Sequence, residues 1–288
     1  MKKLVQLALI VLLVGTMNGC FLFQDAGDDG TVIYGRDDRL DWYEIAEVKV
    51  RRNAEAVASS WNVTDLLGPF NWSYTLKTIK YSWAYNLVEE ERFRDQQVGA
   101  HCTSFLVGED ILVTAGHCIN RVNYKDKVFI FGYRMEGKGV KSTFIIQSEN
   151  VYKAKALLAW ELSSNGADYA VIKLDRKVKG VTPLKIRTSK VKKGEYVYVL
   201  GHPVGLPLKY APNAKVLSCC NDYYFKASLD TYGGNSGSPV FDKDHNVVGI
   251  LVRGETDFET LPSGKRRSAK GMFGESVTKA SVWAKFVE

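Results

Sequence analysis

Gly233-Gly234-Asn235-Ser236-Gly237-Ser238-Pro239, running into the apolar Val240-Phe241, is the stretch around which this 288-residue chain can be organised. Glycines flank a serine here, permitting a tight turn that presents Oγ with little crowding. The same turn can aim the backbone N–H groups of Gly234 and Ser236 at one point, as an oxyanion would require. The following residues, Pro239–Phe241, read as a short β-run. Similar runs are Ser104–Val107, Ile111–Thr114, Val128–Phe131, Tyr169–Leu174, Tyr196–Leu200 and Val247–Val252, most of them bounded by Gly, Asp, Asn or Pro. Helical periodicity is confined to about Leu40–Ser60 and a final stretch near Val277–Val287. The fold class is therefore all-β, an antiparallel barrel or sandwich.

A serine in such a turn needs a base, and the chain has only four histidines. His117 ends the apolar run Ile111–Val113 within Thr114-Ala115-Gly116-His117-Cys118. His101, His202 and His245 stand in a strand start and two turns. A third group must orient the imidazole. Of Asp126, Asp168, Asp175, Asp222 and Asp230, Asp168 has the best context, directly preceding the buried-looking Tyr169–Leu174. Cys102 and Cys118 are 16 positions apart, and a bridge between them would close the loop that carries His117. Zinc held by His101-Cys102 and His117-Cys118 is the alternative; exported cysteines favour the disulfide.

An export leader is readable at the start. Lys2 and Lys3 precede an apolar run, Leu4–Val14, too short to span a bilayer. It ends in Met17-Asn18-Gly19-Cys20, which resembles a bacterial lipobox, so Cys20 is the expected lipidation site. Removing Cys20 from the five cysteines leaves an even set. Residues 1–20 are thus expected to be a signal peptide and 21–31 a tether or short pro-segment. The domain expected for the rest, 32–288, carries an N-terminal insertion at about 40–100. Within that insertion Trp61, Trp72 and Trp83 are expected to be buried. Localisation is expected at the bacterial cell envelope (the outer membrane, through the lipid) or as a secreted protein.

With 45% hydrophobic and 25% charged residues the chain is neither disordered nor low-complexity. Its net charge of +7 is a mild bias for this size. Residues 173–193 hold nine Lys or Arg against one acid, a solvated basic surface or a contact for anionic lipid. Stacking aromatics are not interleaved, so nucleic acid is not expected as a partner. Cys219 and Cys220 leave three outcomes open: a bridge to each other, free thiols, or pairing with another chain.

Together, Thr114–Cys118, Asp168 before an apolar strand, and Gly233–Val240 resemble the three motifs of chymotrypsin-fold, trypsin-like serine peptidases. The bacterial glutamyl endopeptidase-like branch is the most similar, because it shares a start like Val32-Ile33-Tyr34-Gly35-Arg36-Asp37-Asp38-Arg39 and the run Asp230–Gly234. The resemblance implies two six-stranded antiparallel β-barrels with the site between them. It implies His117, Asp168 and Ser236 as catalytic residues, protein or peptide substrates, and no metal or organic cofactor. Asn235 replaces the aspartate that pairs with a new N-terminus in trypsin-type activation. Glutamyl endopeptidases use a mature terminus near the residue matching Val32, so an anchored and a trimmed enzyme are competing pictures. The substrate pocket is expected from Asp230, Tyr232, Val252, Arg253 and Gly254. Asp230 suggests Lys or Arg substrates by trypsin analogy, yet the glutamyl branch can carry the same run with acidic preference. That branch also has a histidine where Leu251 and Val252 stand. Arg253 could attract an acidic side chain, pair with Asp230, or face solvent. The rival functions are a catalytically silent lipoprotein acting as a binding module, and an esterase.

Overall fold

A computed structural model describes residues 33–139 and 144–287. The leader, Cys20, the tether and Val32 lie outside the described residues. Twelve strands make two closed antiparallel barrels. The first comprises β1 (Val57–Asn62), β2 (Cys102–Leu106), β3 (Ile111–Thr114), β4 (Lys127–Phe131), β5 (Val151–Leu162) and β6 (Asp168–Leu174), in the order β5-β6-β3-β2-β1-β4. The second comprises β7 (Tyr196–Gly201), β8 (Lys209–Ser218), β9 (Tyr224–Ala227), β10 (Pro239–Asp242), β11 (Val247–Arg253) and β12 (Glu275–Lys279), in the order β8-β7-β10-β11-β12-β9 with β9 returning to β8. Closure removes the unpaired edges that an open sheet would expose.

The runs read from Val, Ile, Tyr and Phe became strands because their side chains are buried: all five residues of β2 are buried, as are those of β4. The core extends from Phe105, Leu112 and Val171 in the first barrel to Leu200, Phe241 and Ile250 in the second. A satellite core of Val197, Val199, Phe225, Leu229 and Val277 fills the second barrel.

One helical expectation needs correction, and the expected short C-terminal helix is present with narrower bounds. Over Leu40–Ser60 only α1 (Val48–Ala54) is α-helical, burying Val50 and Ala54 one turn apart. The remainder of that stretch enters β1, where Ser59 and Ser60 are buried. Their hydroxyls are satisfied, Ser59 by donating to Ile130 O (3.2 Å) and Ser60 to Ser104 Oγ (3.3 Å). Near the other end, Val277–Lys279 belong to β12. The helix α3 that follows a second short helix α2 (Tyr81–Tyr85) in chain order is only Ala280–Trp283, extended by a 3-10 turn, Ala284–Phe286. Trp283 is fully buried with its ring edge-on to Phe105 (5.8 Å), and Phe286 stacks on Tyr169.

Of the segment 40–100, β1 belongs to the first barrel, and residues 63–98 contribute no strand to either barrel. A hairpin, Leu66–Phe70 with Ser73–Leu76, is joined by Ile145–Gln147. Trp61 is buried as expected, but Trp72 and Trp83 are 84% and 74% exposed. What the segment buries instead is Tyr81, Leu87 and Val98, packed with Val204, Leu206 and Tyr232 of the second barrel.

Candidate active site

β3 delivers Gly116-His117-Cys118 as a 3-10 turn against the start of β6. Gly116 is needed there, because a Cβ would stand 2.2 Å from Glu161 O and 3.1 Å from Asp168 Oδ1. Asp168, 2% exposed, receives the His117 backbone N–H on Oδ1 (3.1 Å) and the ring Nδ1 on Oδ2 (2.8 Å). A carboxylate accepting at Nδ1 fixes the proton there and leaves Nε2 as the basic nitrogen. Trp160 Nε1 donates to Gly116 O (2.8 Å), holding the turn from the far side.

Cys102 and Cys118 are joined by a disulfide with Cα atoms 6.2 Å apart. Ligating atoms of Cys102, His117 and Cys118 come within 4.8 Å of one another. Both sulfurs are consumed in the bridge, however, and His101 is turned toward Lys127 Nζ (3.2 Å), so the four-residue zinc set does not converge. Burial pushes His101 down to about 4. Cys219 is free while Cys220 takes part in a disulfide, so the two are not bridged to each other.

The Ser236 turn is locked onto the first barrel by Thr103, a residue that carries no motif. The Thr103 N–H donates to Ser236 O (2.8 Å) and its hydroxyl to Gly234 O (2.9 Å), while the same hydroxyl accepts the His202 N–H (3.0 Å). Gly234 and Gly237 have φ of +87° and +91°, where side chains are strained. A Cβ on Gly237 would fall 2.0 Å from Thr103 O. Asn235 is buried and closes the turn through Tyr232 O and the Ser238 N–H. The N–H groups of Gly234 and Ser236 have no protein acceptor among the described residues. Free N–H groups on a constrained turn suit an oxyanion.

Beside Ser236 lies a cleft of about 370 Å³. Thr231–Gly233 form one wall and Leu251–Asp257 the other, with Glu275 at the base. Tyr232, Val252, Arg253 and Gly254 are among the residues lining this cleft. Asp230 is not: its Oδ1 accepts the Tyr34 N–H (2.7 Å), and it lies outside the cleft lining. Burial pushes its carboxyl up to about 7. Arg253 is exposed and donates to Gly166 O (3.4 Å), not to Asp230.

Three cleft acids escaped the sequence reading. Glu275, 2% exposed, accepts from Thr231 Oγ1 (3.0 Å) and the Glu255 N–H (3.3 Å), and burial raises its pKa well above the carboxylate range. Asp257 accepts the Gly233 N–H on both oxygens (3.1 and 3.0 Å) and is pushed up to about 6 by burial. Glu255 receives the Tyr34 hydroxyl (3.1 Å) and the Met272 N–H (3.2 Å). The one available signal was the acid pair at 255 and 257, two positions apart after Arg253-Gly254; Glu275 offered none.

Residues 102–250, just over half of the chain, match the family model of the trypsin-like peptidase domain. The secreted RxLR effector protein 73 of Plasmopara viticola is 28% identical over 168 residues, covering 52% of this chain but only 40% of that protein. Among solved structures, a Glu endopeptidase in complex with MPD superposes with a TM-score of 0.52 at 17% identity, over 89% of this chain and 97% of that one. The active form of the Rv3671c protease from M. tuberculosis gives 0.50 at 14% identity, over 92% of each chain. Likeness at these identities speaks for the fold; the family model speaks for descent. The chain spans less than half the length of the curated relative it matches, has the chymotrypsin fold, and belongs to the trypsin-like peptidase family.

Proposed function

We propose that the peptidase works through Ser236, His117 and Asp168 by way of an acyl-enzyme. Ser236 Oγ attacks the peptide carbonyl as His117 Nε2 takes its proton. The N–H groups of Gly234 and Ser236 receive the oxyanion. His117 then hands the proton to the leaving amine, and a water repeats the sequence on the ester to release the acid. Asp168 holds the tautomer and stabilises the imidazolium. The observation that carries this reading is the His117 Nδ1 to Asp168 Oδ2 hydrogen bond at 2.8 Å, which leaves Nε2 free for that role.

The substrates are proteins or peptides, and the peptidase domain is residues 32–288 of an exported chain. The leader, the Cys102–Cys118 bridge of an oxidising compartment, and a relative whose name marks it as secreted support export. Lipidation of Cys20 would hold the enzyme at the envelope. Among the described residues no helix is long and apolar enough to cross a membrane.

The test is cleavage of a mixed peptide library mapped by mass spectrometry, with Ser236→Ala alongside. Cuts are expected from the wild type, reduced roughly 10⁴–10⁶-fold in the variant. Equal cleavage by both proteins would sink the assignment of Ser236. Absence of cleavage and of fluorophosphonate labelling in the wild type would favour the silent binding module.

A further inference from the structure

We infer that Thr103 and Val204 are positioning residues of the oxyanion site, and that residues 81–98 keep Val204 in the strained backbone this needs. The inference rests on the serine-peptidase reading of the Ser236 turn and adds what aims its N–H groups. A trans peptide is planar, so the direction of its carbonyl fixes that of its N–H. The N–H of Gly234 shares a peptide with Gly233 O, and that of Ser236 shares one with Asn235 O. Both carbonyls are held: Gly233 O accepts the Val204 N–H (2.5 Å) and Asn235 O accepts the Ser238 N–H (2.9 Å). Between them, Gly234 O accepts the Thr103 hydroxyl (2.9 Å). The Ser238 bond is local to the turn, whereas Thr103 and Val204 reach it from β2 and from the loop after β7.

Val204 makes its bond from an unfavourable conformation. Its φ is +48°, and of the non-glycine residues with positive φ among the described residues it alone is β-branched. A β-branched side chain in that region is strained, and such strain persists only where the surroundings over-determine it. The loop is closed on itself by the Gly205 N–H on His202 O (3.0 Å), the Leu206 N–H on Pro203 O (2.9 Å) and His202 Nδ1 on Leu206 O (3.0 Å). It is also tied outward, through the Gly99 N–H on Gly205 O (3.1 Å) and the His202 N–H on the Thr103 hydroxyl (3.0 Å).

The Val204 side chain supplies the remaining constraint. It is 6% exposed and belongs to the core that Tyr81, Leu87 and Val98 form with Leu206 and Tyr232. Residues 81–98 add no strand to either barrel, and this core is where they reach the Ser236 turn. Asn235 is buried and uncharged, so it offers no ion pair to fix the turn. Neutral hydrogen bonds from two residues outside the turn carry that task, one donor coming from each barrel.

The full chain is labelled with a fluorophosphonate probe, then assayed on a peptide that the wild type cuts. The aldehyde of the same peptide serves as inhibitor, because its hemiacetal oxygen occupies the place of the oxyanion. Thr103→Val keeps the backbone N–H that holds Ser236 O (2.8 Å) and loses only the hydroxyl. It should lower kcat about 10–100-fold with KM within about 3-fold, and raise the aldehyde Ki by the factor that kcat/KM falls. Thr103→Ser, which keeps the hydroxyl, should restore kcat. Val204→Ala should lower kcat in the same way. Val204→Gly should retain more of it, since glycine takes a positive φ without strain; a residue that only filled space would give the reverse order. Leu87→Ala should lower kcat while KM holds. A labelled wild type whose Thr103→Val and Val204→Ala variants keep kcat and aldehyde affinity overturns the inference and leaves the serine reading standing. Losses that neither Thr103→Ser nor Val204→Gly restores overturn it as well, since they mark packing alone. A Leu87→Ala loss confined to the melting temperature removes residues 81–98 from it. If Val204→Ala fails to fold, the two Thr103 variants decide. Absence of both labelling and cutting in the wild type removes the serine reading, and the inference goes with it.

Discussion

Two groups of buried charge sit on the second barrel and are treated in opposite ways. In one, Lys209 is 2% exposed and all three ammonium protons are used, on Asp41 Oδ1 (2.6 Å), Gln96 Oε1 (2.8 Å) and Pro207 O (2.8 Å). Burial still pulls the ammonium down to about 8, while Asp41 works against that shift. In the other, the buried Glu275 and the half-buried Asp257 line the cleft beside Ser236 with neutral hydrogen-bond donors only. The first group is closed and ties the 40–98 region to β8. The second is open on the side that faces the cleft. The contrast teaches that this chain can neutralise a buried charge when rigidity is the need, so the missing cations of the cleft are a property of the site.

Breaking the closed group should have the largest effect. Asp41→Ala would strand a buried ammonium and cost about 3–5 kcal/mol of unfolding free energy. Guanidinium denaturation measures it, and a loss under about 1 kcal/mol would show that Lys209 was never dependent on Asp41.

The open group should respond with the opposite sign. Burial raises the Asp257 carboxyl from 3.8 to about 6, so the fold binds that proton more tightly than the unfolded chain does. Stability from this group is full at low pH and is lost as pH rises through about 6. Asp257→Asn, which cannot ionise, should match the wild type near pH 4 and exceed it by about 1–3 kcal/mol above pH 7. A wild type more stable than the variant at pH 8 would mean that Asp257 has a cation after all. Smallest of the three is Arg253→Ala. An exposed arginine at the mouth should change stability by less than about 0.5 kcal/mol.

His117, the carboxylate before β6 and the Ser236 turn were legible because each is encoded within a few consecutive residues. So were most barrel strands, whose burial leaves Val, Ile and Phe in continuous runs. The cleft acids were not, because Glu275 returns beside Gly254 only after the chain makes an excursion through the hairpin Phe258–Thr260 and Arg266–Ser268. Asp230 was misplaced for a related reason: its orientation is set by a backbone N–H 196 positions away. Ser59 and Ser60 hid β1, since a buried serine satisfied across strands leaves no apolar signal. Trp72 and Trp83 misled in the other direction, large aromatics standing in solvent.

Trp283 has one more consequence, for the order in which the protein is made. Its indole completes the core around Phe105, yet it leaves the ribosome after every strand of both barrels. Phe286 likewise reaches Tyr169, the residue next to Asp168, only at that late stage. Contacts this distant in sequence form slowly and cannot form early. A nascent chain that has finished only its first barrel lacks the ring that seals Phe105, so the core of that barrel is completed only once the second barrel and α3 have emerged.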